Sequence, residues 1–179
     1  MMSIRKFGAA VALVVASLGF TSFSANAVLI TQSIEIVDDP IFGSFNLGEV
    51  VIDLDSSEIG SGLVTVFEFV SLNLFDSTEF DVFDFEATVD ASSLSAVNSG
   101  IEYLIFDVTE LDSADMWSYQ VIIDLFNPIN NYVDIFDSND EPVFLSDAIT
   151  LGEARVPAPA GIAILALGLV AMGLRRRKN

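Results

Sequence analysis

Residues 117–125 alternate between large apolar side chains and mainly polar ones. The apolar positions of this run are Trp117, Tyr119, Val121, Ile123 and Leu125. A period of two is typical of a β-strand that buries one face. Trp117 and Tyr119 lie in phase with that face, so the pattern predicts that they pack in a core and do not form a platform for sugar rings.

A second alternating run contains a change of phase. Residues 83–89 place Phe and smaller apolar residues at odd positions, whereas residues 79–82 place Phe80 and Val82 at even positions. One extra residue in a strand shifts its alternation in this way. The sequence therefore predicts a β-bulge near Val82 and Phe83.

Six more segments have the composition of strands and are separated by turn signals rich in Gly, Pro, Asn and Asp. These candidate strands are 29–37, 49–54, 63–75, 101–109, 132–136 and 142–145. Only residues 91–97 have the composition of one or two helical turns. Many short strands without long helices predict an all-β fold, a single antiparallel β-sandwich or a barrel-like variant of it.

The charge of this predicted domain is strongly one-sided. All 26 acidic residues lie between Glu35 and Glu153, and Arg155 is the one basic residue between positions 28 and 155. Such a surface repels phosphate backbones, so the sequence predicts no binding to nucleic acid. The abundance of Phe, Val, Ile and Leu argues against disorder, because acidic disordered chains are poor in these residues.

The chemistry available to residues 28–155 is narrow. They include no histidine, lysine or cysteine, which excludes Ser-His-Asp and Cys-His catalysis, Schiff-base chemistry and the common zinc sites. A glycosidase-type pair of carboxylates is arithmetically available. However, acids on alternating strand positions and in turns are expected to be solvated. The sequence therefore predicts that the protein is not an enzyme.

Two acidic turns are the candidate metal sites, and their oxygen ligands are of the kind that calcium prefers. Their candidate ligands are Asp137, Asn139 and Asp140 in one turn, and Asp53, Asp55 and Glu58 in the other. Neither stretch has the glycine of an EF-hand loop at its sixth position. Asx turns and solvated acids are the alternative interpretation of both stretches. No other cofactor is expected.

Residues 1–27 have the layout of a secretory signal peptide. Arg5 and Lys6 precede an apolar stretch, and Ala25 and Ala27 are the small residues of an A-x-A cleavage site. We expect export through the Sec translocon and cleavage by signal peptidase after Ala27. The acidic β-sandwich domain is then predicted to span residues 28–152.

The C-terminal part of the chain has three predicted segments. Residues 153–160 form a linker that contains a proline-spaced motif, namely Val156, Pro157, Ala158, Pro159 and Ala160. Residues 161–174 are apolar and predict a short transmembrane helix. Residues 175–179 form a cytoplasmic tail with a basic cluster that stops translocation, namely Arg175, Arg176, Arg177 and Lys178.

This three-part layout resembles the PEP-CTERM sorting signal of Gram-negative bacteria. Ala158 stands where the name-giving Pro-Glu-Pro motif has glutamate, so the chain carries a VPAPA variant of the tail. The resemblance implies handling by an exosortase-like membrane transpeptidase, often in species that make exopolysaccharide and biofilm. It implies a route to the cell surface and no particular activity.

The expected function is that of an exported, non-enzymatic, acidic protein of the cell surface or extracellular matrix, associated with exopolysaccharide or biofilm. The protein would pass through the inner membrane in transit. Two alternatives stay open. One is a glycan- or protein-binding surface module with a calcium-dependent loop, and the other is a domain held by a plain single-pass membrane anchor.

Overall fold

Ten strands make up most of the computed structural model, which describes residues 27–112, 114 and 116–157. Numbered along the chain, they are β1 (Ala27–Asp39), β2 (Gly43–Asp55), β3 (Leu63–Val66), β4 (Ser71–Leu74), β5 (Phe80–Asp90), β6 (Ile101–Glu110), β7 (Ser118–Asp124), β8 (Tyr132–Phe136), β9 (Pro142–Ser146) and β10 (Ile149–Leu151). One turn of α-helix, α1 (Leu94–Val97), lies between β5 and β6. Single 3₁₀ turns occupy Ser56–Glu58 and Pro128–Asn130.

The strands form two antiparallel sheets. One sheet has four strands in the order β10-β1-β2-β4, and the other has six in the order β3-β5-β6-β7-β8-β9. Their inner faces enclose one cluster of buried apolar side chains. This arrangement confirms the predicted all-β fold of two antiparallel sheets packed as a sandwich.

The alternation of β7 places its odd positions in the core. Tyr119, Val121 and Ile123 are at most 1 % exposed, and Trp117 packs half-buried against the same cluster. The predicted core positions of Trp117 and Tyr119 are therefore confirmed. Leu125 departs from the pattern because β7 ends at Asp124, and the Leu125 side chain is 39 % exposed.

The predicted β-bulge is present in β5. Val82 lies opposite Val108 and Asp84 lies opposite Asp107, so Phe83 is the extra residue of the strand. The bulge turns Phe83 outward, where it is 66 % exposed, and restores Phe85 to the core at 4 %. The phase change in the sequence is thus a register shift in the sheet.

The prediction of one strand over residues 63–75 is wrong, because the chain changes sheets within this segment. Leu63–Val66 pairs with β5 in the six-stranded sheet, whereas Ser71–Leu74 pairs with β2 in the four-stranded one. Residues 67–70 cross between the two sheets. They read Phe-Glu-Phe-Val, without a glycine or proline to mark the break.

A short strand near the end of the described chain was missing from the prediction. β10 has three residues, Ile149–Leu151, and pairs with β1. The chain then continues along β1, where Arg155 N donates to Thr31 O at 2.8 Å and Thr31 N donates to Arg155 O at 3.0 Å. The first residues of the predicted linker 153–160 thus lie against the sandwich.

The described residues contain no helix that is long and apolar enough to cross a membrane. The predicted transmembrane helix 161–174 and tail 175–179 lie outside the described residues. The same holds for the predicted signal peptide, except for Ala27 at its end. These predictions remain as stated.

Candidate functional site

An open groove of about 550 Å³ lies beside the C-terminal half of β2. Asp53 and Asp55 line one side of it, together with Ala27 from β1. Because Ile52 and Leu54 point into the core, the alternating Asp53 and Asp55 lie on the outer face of the four-stranded sheet. The opposite wall is formed by Val66 at the end of β3 and by residues 67–70, the segment that crosses between the sheets.

This wall is apolar, with one carboxylate. Phe69 is half-buried and packs edge-to-face against Phe85, with ring centroids 5.1 Å apart. Phe67 is 69 % exposed, and Glu68 lies between the two rings in sequence. The contact with Phe85 holds Phe69 in place, so the wall is anchored to the hydrophobic core.

The backbone edge of β2 is open at the groove. β4 pairs with β2 only from Gly48 to Val51. The last hydrogen bond on that side runs from Val70 N to Val51 O at 2.7 Å. Since the N–H and C=O groups of alternate residues in a strand point the same way, those of Asp53 point away from β1 and toward the groove. Among the described residues, no strand pairs with β2 there.

Two of the predicted metal ligands, Asp53 and Asp55, are in the groove, but Glu58 is not part of its lining. Asp55 caps the following 3₁₀ turn, because its Oδ1 accepts a hydrogen bond from Ser57 N at 2.9 Å. This backbone hydrogen bond holds the pKa of the Asp55 carboxyl below its usual value. Glu58 instead accepts a long hydrogen bond from Ser61 Oγ at 3.3 Å.

The other predicted metal ligands lie in the turn between β8 and β9. Asp137 Oδ1 accepts hydrogen bonds from Glu141 N at 3.0 Å and from Asn139 N at 2.8 Å. These two bonds lower the pKa of the Asp137 carboxyl. The carboxylate thus closes its own turn, as the Asx-turn interpretation expects. Within the described part of the chain, no three acidic side chains are grouped as a metal site.

A row of aromatic rings crosses one end of the sandwich. The neighbouring centroids are 5.1 Å apart for Phe42 and Phe144, 5.8 Å for Phe144 and Phe45, 6.1 Å for Phe45 and Phe75, and 6.1 Å for Phe75 and Trp117. Phe42 and Phe75 are 56 % and 45 % exposed. We call these five residues the aromatic row. It joins the β1–β2 hairpin, β9 and the end of β4 into one apolar strip.

Parts of the predicted processing signals are visible at the edges of the fold. Ala27 lies opposite Asp55 in the β1–β2 register, so the predicted cleavage position falls at the first residues of β1. Val156 packs half-buried against the core, and Pro157 is exposed. Ala25, Ala158, Pro159, Ala160 and the basic cluster 175–178 lie outside the described residues.

Comparison with family models, with curated proteins and with solved structures finds no match to this chain. The description of the fold and of the groove therefore comes from this chain's own residues.

Sequence reasoning missed the wall of the groove. It placed residues 67–70 inside one predicted strand over residues 63–75. The available signal is that apolar residues follow one another at 66–67 and again at 69–70, which breaks the strict alternation. A break in period without a turn residue indicates only that the strand is irregular, and it does not specify a change of sheet.

Proposed function

We propose that this protein is an exported, non-enzymatic, acidic domain of the cell surface or extracellular matrix, sorted by an exosortase-like system. The observation that carries the proposal is the charge of residues 28–155, which is 26 acids against Arg155 alone. Such a domain stays soluble and separate from its copies by repulsion. It attracts cations and cationic polymers, as a matrix component bridged by ions would.

The lack of an enzymatic role is supported by the positions of the protected carboxylates. Glu110 accepts a hydrogen bond from Tyr119 in the interior, and Asp39 accepts one from Ile41 N within the β1–β2 turn. Asp112 accepts hydrogen bonds from Ser77 Oγ and Thr78 N, which lie between β4 and β5. These acids stabilise the fold, and none of them lines the groove. Many of the remaining carboxylates lie at exposed positions on strands and in turns, where water solvates them.

The sorting route is supported by where the sandwich ends. Arg155 still pairs with Thr31, and Pro157, two residues later, is exposed. The VPAPA motif thus begins at Val156, which still packs against the core. A transpeptidase could reach the exposed Pro157 without unfolding the sandwich.

The test is the mass of the C-terminal peptide of the mature protein, recovered separately from membranes, the cell surface and the medium. A chain that ends within residues 156–160, with the basic tail replaced by a new adduct, is the expected result. An intact end at Asn179 in the membrane fraction would contradict the proposal and favour the plain single-pass anchor. A variant with Pro157 and Pro159 changed to Ala is the matched control, and it should keep its tail.

A second function, glycan binding, is favoured by the aromatic row. Exposed ring faces can stack on sugar rings, and this row has two partly exposed members, Phe42 and Phe75. Affinity electrophoresis in gels containing the host's exopolysaccharide would detect such binding, with and without calcium. Retardation that is lost in F42A/F75A but kept in L63A, which removes an exposed apolar side chain elsewhere, would support glycan binding over a purely electrostatic matrix role.

A further inference from the structure

The groove beside β2 combines carboxylates with aromatic side chains and an open strand edge, and a uniformly acidic surface would not need this combination. We propose that it binds an extended peptide segment in which lysine or arginine alternates with apolar residues, and that this segment adds to β2 as a strand. The proposal goes beyond the surface role described above. It holds whether or not an exosortase processes the chain.

The first support is the open backbone of β2. β4 stops pairing at Val51, and the N–H and C=O groups of Asp53 face the groove beyond that point. Strand addition satisfies such groups with main-chain hydrogen bonds and is a common mode of peptide recognition. The edge is short, so a bound segment would pair over only a few residues, on either side of Asp53.

The second support is the pattern of side chains along this edge. Residues opposite each other in a sheet place their side chains on the same face. A peptide residue opposite Asp53 would therefore lie beside carboxylates on the outer face, where Asp55 is its near neighbour. The peptide residues before and after it would point toward the face of the buried Ile52 and Leu54. This geometry requires cationic and apolar residues in alternation.

The third support is the charge and shape of the opposite wall. Glu68 adds a third carboxylate, and Phe67 offers an exposed ring that a cation or the stem of a lysine can cover. Arg155, the basic residue of the described chain, does not neutralise these carboxylates. Its guanidinium contacts Glu49 at 4.0 Å, and it is not part of the groove lining. The groove thus combines three acids with two aromatic residues, and an external cation complements it.

The experiment uses the full chain in detergent and a labelled, end-capped ten-residue peptide of alternating lysine and valine, followed by fluorescence anisotropy. When the segment adds antiparallel to β2, as β4 does, the lysines opposite Asp53 turn their backbone N–H groups toward β2. N-methylation of the lysine backbone should therefore abolish binding, although the charge is unchanged. N-methylation of the valines is the matched control and should leave binding within about twofold, because those N–H groups point away from β2.

Variants of the protein test the place of binding. D53N/E68Q should raise the dissociation constant of the lysine–valine peptide by about tenfold, because it removes two of the three groove carboxylates. D147N/E153Q removes the same charge from exposed positions outside the groove and should change binding by less than about twofold. Equal weakening by both pairs, or equal affinity for the two methylated peptides, would overturn the proposal and indicate attraction to the whole acidic surface.

Discussion

Asp39 shows how a single acid can stabilise a strongly acidic domain. Its Oδ1 accepts hydrogen bonds from Ile41 N and Phe42 N, both at 2.9 Å, and its Oδ2 accepts one from Ser146 Oγ at 2.6 Å. Asp39 thus fixes the β1–β2 turn and ties it to β9. The Ser146 hydroxyl, followed by the two backbone N–H groups, lowers the pKa of the Asp39 carboxyl.

This pKa direction predicts the pH dependence of an Asp39 variant. A carboxyl whose folded pKa is depressed stabilises the fold above its unfolded pKa of about 3.9, and this contribution is lost as the pH falls through the folded pKa. D39N should therefore lower the melting temperature at pH 7, and the difference from wild type should shrink below about pH 4. Circular dichroism melts across this range measure it. D147N, which changes an exposed acid next to Ser146 in sequence, should show no such trend, and a constant difference for D39N would contradict the argument.

Tyr119 supplies a hydrogen bond to the buried side chain of Glu110. Its hydroxyl donates to Glu110 Oε1 at 2.5 Å, and the two residues are 0 % and 3 % exposed. Burial, and then the bond to Glu110, raises the pKa of Tyr119 above its usual value, so the hydroxyl keeps its proton. Y119F should destabilise the protein by about 1–3 kcal/mol in urea unfolding, because it deprives a buried carboxylate of a donor. Y132F removes a hydroxyl from a half-buried position on β8 and should cost much less. Similar losses for the two variants would show that the bond contributes little.

At the scale of the strand, the bulge in β5 separates two phenylalanines that are two residues apart. Phe85 is in the core and Phe83 is 66 % exposed. F85A should destabilise the protein by about 3–5 kcal/mol, as loss of a buried ring does, whereas F83A should change stability by less than about 0.5 kcal/mol. Urea unfolding of the two variants checks the register directly. A large loss for F83A would mean that the strand continues without the bulge.

The bulge also shows which elements the sequence could predict. Periodicity identified most strands, the phase change at Val82 and Phe83, and the burial of Tyr119, because each depends on which face of one strand is apolar. Periodicity does not say which strand pairs with which. The change of sheet at residues 67–70 and the three-residue β10 depend on tertiary pairing. The groove follows from that change of sheet, so only its β2 side, Asp53 and Asp55, could be singled out from sequence, and then as metal ligands.

At the scale of the whole molecule, like charges face one another across strands. Asp84 on β5 lies opposite Asp107 on β6, and Gln120 on β7 separates Asp107 from Asp134 on β8. Burial raises the pKa of Asp134, because it removes part of the water around the carboxylate. Arg155, the one basic residue among the described residues, does not neutralise these acids, because it contacts Glu49 on the other sheet. The sandwich therefore folds against its own electrostatic repulsion.

This repulsion predicts that added salt stabilises the protein. Ions screen exposed charges over about 10 Å at 0.1 M, so the melting temperature should rise as sodium chloride increases from about 0.01 to 0.2 M. D84N removes one member of a facing pair. It should stabilise the fold by about 0.2–1 kcal/mol at low salt, and this gain should disappear at high salt. S71A, an uncharged change at an exposed position on β4, controls for loss of a polar side chain and should show no salt dependence beyond wild type. A melting temperature that falls with salt would mean that the acids are engaged in attractive pairs, which the described residues do not offer beyond Arg155 and Glu49.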